Sequence, residues 1–301
     1  MSTATYCSFT TWTLLRVLKK LHLLERMSFI VNATIMGVRV RVPIVQGHGM
    51  HAMPAGEPWG HHLYTPLLAA FPGTFVDVGV NLGQTLTRLR TVDKTRPYIG
   101  FEPNPICIQY ARELARLNGF LHCPIVPAGL STQDGFVDLV MNNDDLTDSG
   151  ASIVKDFRPG TRIHHRMPVA ITQFDTAERD LGPLGKLGVV KIDVEGAERE
   201  VLMSMSDRIS RDRPAIFLEI LPVGRAEHVD RLQRQQDIEA LFQALDYRMN
   251  RIHNKGTSTR LEPMNGPIGI HNDQDLANFV VLPAERNEEL FPQLTRALAQ
   301  Q

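Results

Sequence analysis

Two periods of apolar spacing alternate along this chain. Between Trp12 and Arg26, the residues Trp12, Leu14, Leu15, Leu18, Leu21 and Leu24 recur at threes and fours while Arg16, Lys19 and Lys20 take other positions. That pattern predicts an amphipathic helix, which would pack on its own domain or a dimer partner, or lie on an anionic membrane surface. GVRVRVPI, from Gly37 to Ile44, alternates Val38, Val40 and Val42 with Arg39 and Arg41, the period of a half-buried strand. From Gln46 to Trp59 the residues Gly47, Gly49, Pro54 and Gly56 precede Pro58, so this stretch reads as loop. The chain is expected to divide here, into an N-terminal extension over residues 1–58 and a main domain over residues 59–301.

Beyond Phe71 strands and helices take turns, the sign of an α/β domain with a largely parallel sheet. Strands are expected at Thr74 to Val80, Tyr98 to Pro103, Cys123 to Ser131, Gly188 to Val194 and Ala215 to Leu221. GFVDLVM, from Gly135 to Met141, reads as a hairpin partner or a further strand. Helices are expected over Gln84 to Arg90, Pro105 to Leu117, the EGAEREVLMSM stretch and Ala226 to Leu245. Tyr247 to Ile252 and Ala277 to Pro283 look like a terminal antiparallel pair.

Composition narrows the function classes. With 301 residues, 43% hydrophobic and 22% charged, the chain has globular averages and no repeat or low-complexity tract. Lys plus Arg total 32 against 33 Asp plus Glu, so no broad positive field favours general nucleic-acid binding. Cys7, Cys107 and Cys123 are odd in number and scattered, which fits a reducing compartment and gives no zinc module. No apolar run is long enough for a transmembrane helix, and Lys19 and Lys20 follow the first apolar stretch instead of preceding it. A cytoplasmic location is the expectation.

Asp77-Val-Gly79-Val-Asn81-Leu-Gly83 stands at the end of the first of these strands. A glycine-lined turn at the carboxyl end of a strand lets backbone approach a ligand closely. Its spacing is neither G-x-G-x-x-G nor a P-loop. An acid beside the turn repels a pyrophosphate and attracts an ammonium group, which suits a ligand with a free amino-acid end such as S-adenosylmethionine. Glu102, 25 residues later at the end of the next strand, is placed to accept ribose hydroxyls. A third cluster, Lys191-Ile-Asp193-Val-Glu195-Gly196-Ala-Glu198, points Asp193 into the same crevice, and Glu219 ends the following strand. These acids could supply a general base, metal ligands or hydroxyl recognition. For Glu195 and Glu198 a first-turn interaction with the helix dipole competes with those roles. No metal-binding histidine spacing occurs; most histidines, His48 included, read as surface groups, with His164, His165 and His253 as candidate bases. The polar loop Asn142 to Ser152 is a connector or a substrate lid.

Taken together, FVDVGVNLG, IGFEPNP and VVKIDVEGAE resemble the FkbM-type family of S-adenosylmethionine-dependent methyltransferases, over roughly Trp59 to Pro283. AGLS, SGASI and FLEILPV fall where that family has related segments. The resemblance implies a Rossmann-like seven-stranded sheet, mostly parallel with the last strand antiparallel, and O-methylation of a hydroxyl on a sugar, glycan or natural product. Surface-polysaccharide modification is the setting it suggests. By the same resemblance Asp77, Gly79, Asn81 and Gly83 hold the methionine end of the cofactor, Glu102 the ribose, and Ser131 lies near the adenine. Asp193 would orient or deprotonate the acceptor with help from Glu219 or a lid histidine. Val80 stands where that family often carries Ala. A divalent metal bridging the carboxylates would lower the hydroxyl pKa but is not expected. Two rivals remain: a nucleotide-binding oxidoreductase, weakened by the missing third glycine, and an inactive cofactor-binding scaffold that recruits a partner or membrane through its basic helix. The acceptor, the oligomeric state and the role of the first helix stay open.

Overall fold

The structure is a computed structural model that describes residues 9–50, 59–155, 157–158, 160–255 and 258–299. Cys7, His51 and the end of the expected loop at residues 51–58, with the boundary drawn there, lie outside the described residues.

The chain begins with helix α1 (Phe9–Lys20), which is shorter than its apolar spacing suggests. His22 adopts φ 54°, a left-handed conformation that breaks the helix before Leu24–Arg26 form one 3-10 turn. Strands β1 (Ser28–Ile35) and β2 (Val38–Val45) then form a hairpin turned by Met36 and Gly37, both at positive φ. β2 matches the expected strand. β1 is not among the expected strands: it buries Val31, Ala33 and Ile35 on one face, while Ile30 stands exposed on the other and blurs the alternation.

Helix α2 (Trp59–Ala70) leads into β3 (Thr74–Val78), α3 (Gln84–Val92), β4 (Tyr98–Phe101) and α4 (Pro105–Leu117). Asn104 caps α4 by accepting from the Ile106 N–H at 3.0 Å, with Pro105 in the first turn. The expected strand Cys123 to Ser131 is two short pieces that belong to different sheets, β5 (Ile125–Val126) and β6 (Gly129–Leu130). β7 (Gly135–Met141) pairs antiparallel with β8 (His165–Thr172), and β8 pairs parallel with β6. The chain continues through α5 (Phe174–Leu181), β9 (Leu187–Ile192), α6 (Glu198–Ser204), α7 (Ser206–Asp212), β10 (Ala215–Glu219) and α8 (Val229–Ala244). It closes with β11 (Tyr247–Lys255), β12 (Ser258–Pro263), β13 (Asn278–Pro283) and α9 (Ala284–Leu298).

The main sheet has the order β12-β11-β13-β10-β9-β3-β4-β5. Pairs from β5 to β10 are parallel, and β13 inserts antiparallel between β10 and β11. The fold is thus the mostly parallel, Rossmann-like α/β sheet with an antiparallel late strand, and β12 adds an eighth strand at its edge. Alternation along the strands splits the core between the two faces. Val76, Val78, Ile192 and Leu218 face α5 to α8, while Phe75, Val189, Phe217 and Val280 face α2, α3 and α9. The hairpin β1–β2 packs its inner face on α1 and α4, where the Tyr110 hydroxyl donates to the Pro43 carbonyl at 2.6 Å. After β3 the crossovers run towards β5, and after β9 they run the other way. The carboxyl ends of β3 and β9 therefore flank the switch point where open sheets of this kind bind ligands.

Candidate active site

A cleft of about 300 Å³ opens at that switch point, within the size range of small-molecule sites. Its wall begins with the turn after β3. Gly79 sits at φ 90°, and a Cβ there would fall 1.9 Å from the Asp193 carbonyl oxygen, so only glycine lets this turn touch the one after β9. The Asp193 N–H in turn donates to the Val78 carbonyl at 3.0 Å, which locks the two motif turns together. Asn81 is left-handed at φ 48°, a conformation its short amide supports by accepting from the Leu82 N–H at 2.8 Å.

Glu102 stands across from this turn. Its Oε2 accepts the Asn81 N–H at 2.7 Å and its Oε1 accepts the Asn104 N–H at 2.8 Å. Each carboxylate oxygen has two acceptor positions, so one per oxygen remains for hydroxyl donors. Burial pushes the Glu102 carboxyl up to about 7, with Asp77 and Asp193 adding to the rise and the two backbone N–H groups opposing it.

Five acids (Glu102, Asp148, Asp193, Glu195 and Glu219) and two bases (Arg88 and Lys191) line the cleft. That excess of negative charge suits a cationic ligand. At the floor, Lys191 Nζ donates to Asp193 Oδ2 at 2.7 Å. Burial would raise the Asp193 carboxyl, but Lys191, a hydrogen bond with Glu219 and the charge of Arg88 hold it below its ordinary value. Asp193 and Glu219 thus line the same floor of the cleft, with the Lys191 ammonium on Asp193.

The remaining expected residues are placed differently. Asp77 does not line the cleft: strand alternation sends it to the face of Phe75, fully buried, where Tyr98 Oη donates to its Oδ2 at 2.8 Å. Burial and this carboxylate together raise the Tyr98 hydroxyl. Gly83 caps α3 at φ 81° against Leu114 and Ala111, behind the wall. Ser131 lies one residue beyond the lining residues Gly129 and Leu130, its N–H donating to the Thr172 carbonyl at 2.9 Å. Glu198 is buried and accepts the Gly196 N–H at 2.8 Å, so it closes the turn before α6. Glu195, at φ 53°, pairs with Arg158.

The loop from Asn142 to Ser152 supplies Asp148, Ser149 and Ala151 to the cleft wall, and Ile153 follows them. Three tethers hold it: Asn104 Nδ2 donates to the Leu146 carbonyl at 2.8 Å, His48 Nδ1 lies 3.1 Å from Thr147 Oγ1, and His164 Nδ1 lies 2.7 Å from Asp144. The hydrogen bond from His48 keeps the Asp145 carboxyl well below the usual carboxylate range. His48 and His164 are thus loop anchors, and His253 pairs with Glu262 away from the cleft.

Lys191 has no role in the expected site, although its place two residues before Asp193 puts both side chains on one face of a strand. Arg88, one helical turn after Gln84, was equally legible. Phe157, whose ring would overlap a Cβ at Gly196, gave no local signal. Among the described residues no group of three or more His, Cys, Asp or Glu could hold a metal ion.

A family model described as the methyltransferase FkbM domain matches residues 77–249. No curated protein matches the chain. Among solved structures, an FkbM methyltransferase from Methylobacillus flagellatus KT shares 15% identity at a TM-score of 0.44, over 70% of this chain and 43% of that one. This chain therefore spans less than half the length of that relative. A provisionally assigned O-methyltransferase from Klebsiella pneumoniae shares 12% identity at a TM-score of 0.43, over 75% and 79% of the two chains. The plantazolicin methyltransferase BpumL, solved with SAH, shares 11% at 0.33, over 65% and 67%. The family match covers more than half of the sequence and includes the turns that build the cleft: this chain belongs to the FkbM methyltransferase family.

Proposed function

We propose that this chain is an S-adenosylmethionine-dependent O-methyltransferase whose acceptor is a hydroxyl on a sugar, a glycan or a natural product, in the setting of surface-polysaccharide modification. The observation that carries the reading is Glu102, held by the Asn81 and Asn104 N–H groups with acceptor positions to spare at the switch point. A ribose diol donates two hydroxyl hydrogens to such a carboxylate. Backbone at Gly79 to Asn81 and the acidic lining then receive the amino-acid end and the sulfonium. When bound, the cofactor supplies an already activated methyl group, so the protein's work is alignment and proton removal. Asp193, kept ionised by Lys191, orients the acceptor hydroxyl and takes its proton, with Glu219 beside it on the cleft wall. Residues 59–301 form the methyltransferase domain in this reading and residues 1–58 its extension.

Calorimetric titration with S-adenosylhomocysteine tests it, with NAD as control and Glu102→Ala alongside. Binding that is selective over NAD and weakens in the variant supports the reading. Absence of binding to folded wild-type protein overturns it.

A further inference from the structure

Helix α1 has a wider apolar arc than its own domain covers. Leu15 is buried against the β1–β2 hairpin, with Trp12 and Leu18 packed beside it. Leu14, Val17 and Leu21, spaced by three and four, point elsewhere: Leu14 is 57% and Leu21 60% exposed. The chain then turns at His22 and leaves Leu23 exposed at the end of the same run. Isolated apolar residues on a surface need no explanation, but a run of four along one helix and its exit turn does.

The charge around this run is of one sign. Between Thr11 and Met27 stand Arg16, Lys19, Lys20 and Arg26, all exposed, against a single acid, Glu25. His22 Nδ1 sits 3.0 Å from that acid. Arg16 and Lys20 lie one turn apart beside the apolar run, so both can keep their heads in a headgroup layer while Leu14, Val17 and Leu21 enter the acyl boundary. A second copy of this chain would bring the same four cations to a symmetric contact, opposing like charges. We propose that the exposed face of α1 is a docking surface for anionic lipid, laying the extension in the plane of a membrane. The same extension reaches the cleft through His48, which touches Thr147 and Asp145 of the loop over the active site.

Co-sedimentation of the full chain with phosphatidylglycerol-containing vesicles, with pure phosphatidylcholine vesicles as control, tests the proposal. Two variants accompany the wild type: Leu14→Ser with Val17→Ser and Leu21→Ser, and Arg16→Glu with Lys20→Glu, each checked for folding by circular dichroism. The wild type should bind the anionic vesicles, release in raised salt and ignore the neutral ones. Each variant should bind roughly ten-fold less or weaker still. Wild-type protein that stays in solution with anionic vesicles overturns the proposal. So does equal binding to both vesicle types, or a wild-type dimer that the serine variant dissociates while vesicle binding is absent.

Discussion

The backbone N–H of Asn81 donates to Glu102 Oε2 across 2.7 Å, so the turn after β3 and the carboxylate after β4 form a single rigid element. Glu102→Ala should therefore do more than remove a ligand contact, because it also releases the left-handed Asn81. We expect S-adenosylhomocysteine affinity to fall by about 10- to 100-fold, the size of one or two lost charge-assisted hydrogen bonds. Glu102→Gln should recover little, since its amide NH2 would face one of two backbone donors. In the wild type, affinity should decline as pH drops below about 7, where Glu102 takes up its proton and loses acceptor capacity. That slope should vanish in Glu102→Ala, and titrations at several pH values check both points.

Gly79→Ala is expected to be the most damaging one-carbon change in the cleft. The added Cβ would meet the Asp193 carbonyl oxygen, and φ 90° is itself unfavourable for alanine. A loss of roughly 3 kcal/mol or more follows, measurable as a drop in the urea midpoint. Gly182→Ala makes a useful control, since φ is 88° there with open space around the Cβ, so only the strain should register.

The central α/β alternation was legible because buried parallel strands are short apolar runs. VVKIDV and AIFLEI announce themselves that way, and so does the acid that ends each of them. The loci of failure share a different cause. β8 alternates polar and apolar residues inside HRMPVAIT, with Pro168 in the middle, and acts as the central strand of a small sheet that no local pattern encodes. Asp77 is expected beside the glycine turn at the methionine end of the cofactor, whereas the two-residue period of β3 turns it with Phe75 to the face where Tyr98 donates to it. Phe157 and Arg158 meet Gly196 and Glu195 across nearly forty residues of chain, a contact that only tertiary packing creates.

That contact makes the hold on the Asn142 to Ser152 loop testable. Phe157 rests on the Gly196 turn and Arg158 reaches both Glu195 and the Gly150 carbonyl, so the segment after Ala151 is latched to the motif that carries Asp193. Arg158→Ala with Phe157→Ala should leave the sheet folded and expose residues 142–163 to limited proteolysis, with cleavage there several-fold faster than in the wild type. Cleavage at unchanged rate and position would argue that the His48 and Asn104 tethers alone hold the loop.

Lys191 and Asp193 should behave as a coupled pair. Lys191→Met removes the cation that donates to the Asp193 carboxylate, and Asp193→Asn exchanges a charged acceptor beside the buried ammonium for a neutral one. Each change should destabilise the fold, by roughly 1–3 kcal/mol given that Asp193 is partly open to the cleft. The double variant should lose less than the sum of the two, and denaturation of all four proteins closes the cycle. Asp193→Asn should also bind S-adenosylhomocysteine nearly as well as wild type while abolishing most turnover on the acceptor. Full turnover in that variant would remove Asp193 from the reaction.

Glu198 provides a stability test that is independent of any ligand. Burial lifts its carboxyl to about 7 from an ordinary 4.5, with Glu195 and Asp193 adding to the rise and the backbone N–H of Gly196 opposing it. A raised acid binds more protons folded than unfolded between those two values, so its contribution to stability falls as pH rises through that window. Below about 4.5 both states hold the proton and nothing is lost; above about 7 the full penalty applies, roughly 3 kcal/mol. Glu198→Gln keeps an oxygen for the Gly196 N–H and cannot ionise. It should match the wild type near pH 4.5 and exceed it in urea resistance at pH 8. Parallel stability curves across that range would mean that Glu198 keeps an ordinary carboxylate pKa despite its burial, with the turn before α6 opening enough to hydrate it.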